Sequence, residues 1–272
     1  MAQNGLVPVT FSRHGRRYWT RFMSYQFAAN RAECAIVFQE AQQAAATFPI
    51  LFKKTARGYE PTGILSVLKD RPTPFVSQAG RWLAAYVPSA LRCYPFQAAP
   101  TGRKKADQAP LFQLNVDESS GLLSEDPKDE AFFDNTGAVS PALREVKIFL
   151  QARAAACEAT LALCQIINSL RLFEPIASHD GIPLPPDKFG VSVQRLKTLS
   201  QVEKLKLVDS GALFLIHAHQ ISLSHCGWLS RAHQQLAQQN PQEKYTENSD
   251  ISGFLYAMAN AQNDDFLGTN GV

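Results

Sequence analysis

The chain has 272 residues, 45% hydrophobic and 19% charged, enough to bury one large core or two modest ones. Its formal charge of +3 falls short of the concentrated basic face that specific nucleic-acid binding requires, and no window approaches the roughly 20 apolar residues of a membrane-spanning helix. Five cysteines, odd in number and embedded in apolar runs, read as reduced, buried thiols in place of a disulfide framework.

The N-terminus lacks the charged-then-apolar order and small-residue cleavage site of a signal peptide, so synthesis in the cytoplasm without such a signal is expected. Residues 1–27 read as a basic aromatic arm, in which Arg13, Arg16, Arg17 and Arg21 interleave with Phe11, Tyr18, Trp19, Phe22, Tyr25 and Phe27. Such a pattern suits an arm laid over its own domain with guanidiniums reaching water, or a partner interface carried by Arg13, Arg16, Arg17, Trp19 and Arg21. Val37–Thr47 is rich in Ala, Gln and Glu and predicts a short helix that stops before Phe48-Pro49, because the residue preceding proline avoids the helical region. Strands are expected over Phe48–Lys53 and Ile64–Leu68, with a turn at Ala56-Arg57-Gly58 and Pro61 at a strand margin. Together with Phe75-Val76 they read as an antiparallel meander.

Gly80–Phe96 carries the densest set of specific signals. A glycine turn leads into a strand-like Arg81-Trp82-Leu83, a short helix starts at Pro88, and Tyr94-Pro95-Phe96 closes the stretch. Gly80, Arg81, Trp82, Tyr86, Pro88, Tyr94, Pro95 and Phe96 are expected to hold the fold together and not to do chemistry. A polar loop over 98–110 and an alternating strand at Leu111–Val116 come next. Residues 117–134 then turn acidic. Their spacing fits no EF-hand and Pro127 interrupts them, so a solvated loop is expected over a calcium site, one that could face the basic arm of a neighbouring subunit.

Ser140 before Pro141 is a helix-start signal, and Leu143, Val146, Leu150, Ala154, Cys157, Leu161, Cys164 and Ile167 keep one face apolar over a helix of about 30 residues. Residues 174–190 form a proline- and glycine-rich internal linker expected to lack regular structure. Val191–Leu196 reads as a further strand, Ser200 and Glu203 as a capping box, and Gly211 as the break before a helix over Ala212–Gln235. Residues 236–272 form a tail with a short amphipathic helix bearing Phe254, Leu255 and Met258, which join the arm as candidate partner contacts. Loop residues His179 and Asp180, and His219 on the helix, are the alternative site candidates. On a helix, His217 and His219 point about 200° apart and cannot share a metal.

Phe48-Pro49-Ile50, Gly80-Arg81-Trp82, Tyr86-Val87-Pro88, Leu91-Arg92 and Tyr94-Pro95-Phe96, followed by Phe133-Asp134, Pro141-Ala142-Leu143, Gly211-Ala212-Leu213, Ala218-His219 and Ser222-Leu223, resemble the SapC family over residues 28–235. The resemblance implies association with bacterial surface layers and transfers no catalytic residue. The expected fold is α+β: an antiparallel sheet in the N-terminal half packed against a long helix and a C-terminal helical region. The expected function is non-enzymatic: a structural or assembly subunit of a larger surface or virion-type particle that acts through its terminal arms, with itself or other proteins as partners and no cofactor. The alternative is a peptide- or small-molecule-modifying enzyme, or an accessory to one, with a pocket where sheet meets helix.

Overall fold

A computed structural model describes residues 5–68, 71–104 and 110–238. The described residues form the expected α+β architecture. The chain opens with β1 (Leu6–Pro8), one helical turn α1 (Phe11–His14) and β2 (Tyr18–Trp19), then reaches β3 (Glu33–Ala35). The helix predicted over residues 37–47 is split into a 3-10 turn at Phe38–Glu40 and α2 (Ala41–Ala45). The cause is local: the Glu40 carboxylate turns back to accept the Val37 N–H at 2.9 Å, tightening the first turn.

β4 (Ile50–Thr55) and β5 (Gly58–Ile64) form a hairpin in register from Ile50↔Gly63 to Thr55↔Gly58. The return strand therefore begins six residues earlier than the expected Ile64, and Pro61 sits inside it. The sheet tolerates Pro61 because its carbonyl accepts from Ile36 N–H at 3.1 Å, on the side where β3 has already ended at Ala35. N–H and C=O of one residue in an extended strand point the same way, so the missing donor falls outside the ladder. The Gly80–Phe96 stretch has a single bridge, Val76↔Trp82, and a 3-10 turn at Ser89–Leu91 in place of a strand and helix.

Next come β6 (Phe96–Lys104), β7 (Pro110–Asp117), β8 (Leu123–Ser124) and β9 (Glu130–Ala131). α3 (Pro141–Ser169) follows with the expected start: Ser140 Oγ accepts the Leu143 N–H at 3.1 Å and donates to the Ala131 carbonyl. Residues 174–190, expected to be irregular, instead carry β10 (Phe173–Pro175), β11 (Ser178–His179), β12 (Ile182–Pro183) and β13 (Lys188–Val191). Asp180 and Gly181, at φ 47° and 78°, make the two-residue turn of a tight hairpin, a role in which Asp-Gly is favoured because both positions need positive φ. The strand expected over Val191–Leu196 is α4 (Val193–Thr198), entered as soon as β13 ends. α5 (Gln201–Ser210) has the predicted Ser200–Glu203 capping box, and Gly211 at φ 81° closes it. The single helix expected over Ala212–Gln235 is two, α6 (Ala212–Ser222) and α7 (His225–Gln238).

The strands assemble antiparallel as β10-β13-β4-β5-β3, β1-β7-β6, β8-β2-β9 and the β11-β12 hairpin. Two clusters of buried residues result. The larger joins Phe48, Leu51 and Phe52 to Cys164, Ile167 and Leu172 and to Leu215, Ile216 and Leu229 of the C-terminal helices. The smaller gathers Trp19, Phe96, Val116 and Phe132 against Leu143 and Leu150. α3 crosses both, its first half serving the smaller core and its second half the larger.

Residues 5–27 are thus part of the fold. β1 pairs with β7 and β2 lies between β8 and β9. Gly80 explains why this segment docks where it does: Tyr25 N–H bonds its carbonyl at 2.7 Å, and a Cβ there would fall 1.8 Å from Ser24 Oγ.

Candidate functional site

His219 is 1% exposed and both ring nitrogens are engaged: Nδ1–H donates to the Ile50 carbonyl at 2.6 Å, and Nε2 accepts from Val191 N–H at 3.2 Å. The imidazole bridges β4 and β13 just past their last paired residues, Phe52 and Phe189. Ser222, one turn on, accepts the Ile50 N–H at 2.8 Å. Burial, opposed by the bond to Ile50, pushes the His219 pKa down to about 4, so the ring is neutral and acts as a clamp. His179 and Asp180 stand on the β11-β12 turn, Nε2 to Oδ2 3.5 Å, with Asp180 85% exposed. The structure does not bring this pair to His219 in any shared cavity among the described clefts.

The acidic stretch faces the basic segment of the same chain. Arg13 donates twice to Glu118, at 2.8 and 2.6 Å, Arg17 lies 3.7 Å away, and Arg21 reaches Glu130 at 3.8 Å and Glu145 at 3.2 Å. The bond from Arg13 holds the Glu118 carboxyl below its usual range. Among the described residues no group of three or more His, Cys, Asp or Glu side chains could hold a metal ion. Trp19, expected as a contact residue, is 3% exposed and packs edge-on to Phe96 at 4.8 Å, leaving Arg13, Arg16 and Arg21 as the exposed members of its set. Phe254, Leu255 and Met258 lie outside the described residues.

Two clefts open beside α3, and Cys93, Tyr94 and Phe96 line both. This stretch of the motif is a partition: Phe96 fills the smaller core, while Tyr94 stacks on Phe27 at 4.0 Å with planes 7° apart. The first cleft, about 390 Å³, lies between β3, β4, β6 and α3. Its wall includes Arg31, Lys53, Arg57 and Arg153, the carboxylates Glu33 and Glu158, and the thiols of Cys34, Cys93 and Cys157. The second, about 410 Å³, is aromatic: Trp19, Phe22, Tyr25, Tyr94, Phe96 and Phe149, with Arg21, Arg92 and Glu145.

A buried carboxylate organises the partition. Glu40, 5% exposed, accepts from Val37 N–H at 2.9 Å, Tyr86 OH at 2.6 Å, Ser89 N–H at 2.7 Å and Ser89 OH at 2.9 Å. Ser89 Oγ in turn accepts from Arg153 Nε at 3.1 Å, tying this hub to α3. Trp82 Nε1–H donates to the Tyr86 carbonyl at 2.9 Å. The Gly80–Phe96 residues are therefore joined through Glu40, a residue the sequence pattern did not single out. Arg153 was legible in principle, because it lies between Leu150 and Cys157 on the apolar face of α3, where a charge calls for an explanation.

The thiols of the first cleft are not poised for nucleophilic work. Burial pushes Cys93 up to about 11 and raises Cys34 and Cys157, so all three remain protonated at neutral pH. The wall thus offers fixed cations, two carboxylates, apolar surface and neutral thiols. No helix among the described residues is long and apolar enough to cross a membrane.

No curated protein and no solved structure matches the chain. A family model described as SapC matches residues 9–229, a span that starts inside the N-terminal basic segment and ends in α7. With the match running over most of the chain and over both cores, the protein belongs to the SapC family.

Proposed function

We propose that this protein is a non-catalytic structural or assembly subunit, of a surface layer or a virion-type particle, and that it engages a neighbouring protein through the aromatic cleft beside α3. The observation that carries this reading is the composition of that cleft and its border. Half-buried Phe22, Tyr25, Tyr94 and Phe149 line it together with the buried Trp19 and Phe96, and Arg21 and Arg92 flank it. Aromatic and arginine side chains around a concave apolar patch are the usual anchors of protein interfaces, and monomers seldom leave such residues uncovered together.

The charges indicate the partner's chemistry. Arg21 is already paired with Glu130 and Glu145. Among the described residues Arg92 donates only to the Val87 carbonyl, at 2.9 Å, while its guanidinium stacks 5.0 Å over Tyr86. A partner segment with an apolar side chain for the cleft and a carboxylate for Arg92 satisfies both. The SapC resemblance supports placing that partner in a surface layer or particle.

The test is the mass of the purified full-length chain, with and without Phe149→Glu, by light scattering on a size-exclusion column. Phe149 is half-buried at the cleft, so a charge there blocks docking without entering either core. Higher-order species in the wild type that vanish in the variant are expected. A wild type that stays monomeric at every concentration and captures no co-expressed neighbour would overturn the reading.

A further inference from the structure

The first cleft carries four cations and two carboxylates on its wall, and the pairing among them is uneven. Glu33 takes Lys53 at 3.0 Å and Lys188 at 3.0 Å. Glu158 takes Arg57. Glu40 stands behind Ser89 with both oxygens filled by four neutral donors. Arg31 and Arg153 remain, each without a carboxylate within ion-pair distance among the described residues.

Arg153 is fixed by neutral acceptors: Nε to Ser89 Oγ at 3.1 Å, one terminal nitrogen to Cys157 Sγ at 3.7 Å and the other to the Ala35 carbonyl at 3.4 Å. These three contacts orient the planar fork and occupy three of its five N–H donors, so among the described residues donor capacity remains for a ligand. Arg31 lines the same cleft from the chain segment just before β3. Beside the two guanidiniums the wall includes Phe27, Tyr94, Phe96, Phe112 and Leu150, an apolar surface next to the paired charges of Lys53, Arg57, Glu33 and Glu158. Two unneutralised guanidiniums facing an apolar cavity are the arrangement that recognises a carboxylate or phosphate by paired hydrogen bonds. A volume of about 390 Å³ lies within the range of small-molecule sites, roughly 300–1,000 Å³.

We propose that this cleft is a binding site for a small amphipathic anion, whose carboxylate or phosphate head is held by Arg31 and Arg153 and whose apolar body lies against Tyr94, Phe96 and Leu150. The site is separate from the aromatic cleft, so it stands or falls independently of the assembly role. The Cys93 partition is its shared wall, which gives a built-in reporter.

Isothermal titration of the full chain with octanoate, octyl phosphate, inorganic phosphate and octanol tests the proposal. Octanoate or octyl phosphate should bind, the tighter of the two naming the head group, and octanol should bind far more weakly. Arg31→Gln should weaken binding by about tenfold or more, the loss of a charge-assisted bond. Arg31 makes no side-chain hydrogen bond or ion pair among the described residues, so this variant keeps its fold where Arg153→Gln could lose its anchor. Bound ligand should also slow alkylation of Cys93 in the wild type. No binding by either octyl anion, or equal affinity of wild type and Arg31→Gln, would overturn the proposal. So would binding of octanol as tight as that of the anions.

Discussion

Replacing Glu40 by glutamine distinguishes a carboxylate that holds the fold together from one that is merely tolerated. Gln keeps the shape and loses one acceptor. Each Glu40 oxygen serves one main-chain N–H and one hydroxyl: Oε1 takes Val37 N–H and Ser89 OH, and Oε2 takes Ser89 N–H and Tyr86 OH. Hydroxyls can turn and accept, but an N–H cannot. Whichever way the amide is placed, its NH₂ meets one buried N–H, losing a hydrogen bond to a charged acceptor and leaving two donors face to face. That costs about 1.5–3 kcal/mol. Glu40→Ala, which strands both N–H groups and leaves a void, should cost about 4 kcal/mol, whereas Tyr86→Phe, which removes one flexible donor, should cost about 1 kcal/mol. Urea titration followed by tryptophan fluorescence reads the order, since Trp82 reports directly on Tyr86. If burial of the charge outweighed its four bonds, Glu40→Gln would be neutral or stabilising. A loss under about 0.5 kcal/mol for Gln would refute this account of the hub.

Two further outcomes are expected. His219, His225 and His233 are all held below the ordinary histidine value by burial, His219 to about 4, so the unfolded chain binds more protons as pH falls below 6.5. Stability should be full above that pH and decline toward pH 4, by up to about 1.4 kcal/mol per pH unit for each such group. Glu33 and Glu118 are held below their ordinary 4.5 and add losses only in more acid solution, so His219→Gln should flatten the profile between pH 6.5 and 4.5. An unchanged slope in that window would count against the clamp. Separately, with its thiol pushed up to about 11, Cys93 should react with iodoacetamide far more slowly in native protein at pH 8 than in urea. Equal rates would contradict its burial in the partition.

What the sequence made legible was local chemistry with short-range causes. The start of α3 at Ser140-Pro141, the capping box of Ser200 and Glu203 and the stop at Gly211 each follow from a side chain acting on its own backbone. What escaped depends on partners far along the chain. Pro61 fits inside β5 only because β3, more than 20 residues earlier, ends beside it. Residues 174–190 gain strands because β13 finds β4, and the prolines that argued for a linker fall at strand ends, Pro175 and Pro183, or between strands, Pro185 and Pro186. The basic segment meets the acidic loop of its own chain, with Arg13 and Glu118 105 positions apart. His219, a site candidate from sequence, bonds backbone through both ring nitrogens, and the reason emerges only in three dimensions. Phe48-Pro49-Ile50 and Ala218-His219 with Ser222, separate marks of the resemblance, meet at Ile50, whose N–H and C=O are both met by α6.

The passage of α3 through both cores also sets an order of completion during synthesis. Every buried member of the smaller core lies between Trp19 and Leu150, whereas the larger core waits for Leu229 and Ala232 in α7. A nascent chain therefore holds all of its smaller core while the second half of α3 is still being made. Leu161, Cys164 and Ile167 then emerge as an apolar face on a helix already fixed at its other end. That face can settle on β5, already made, but is closed over only when α6 arrives, so the ribosome-bound intermediate still exposes apolar surface that the finished protein buries.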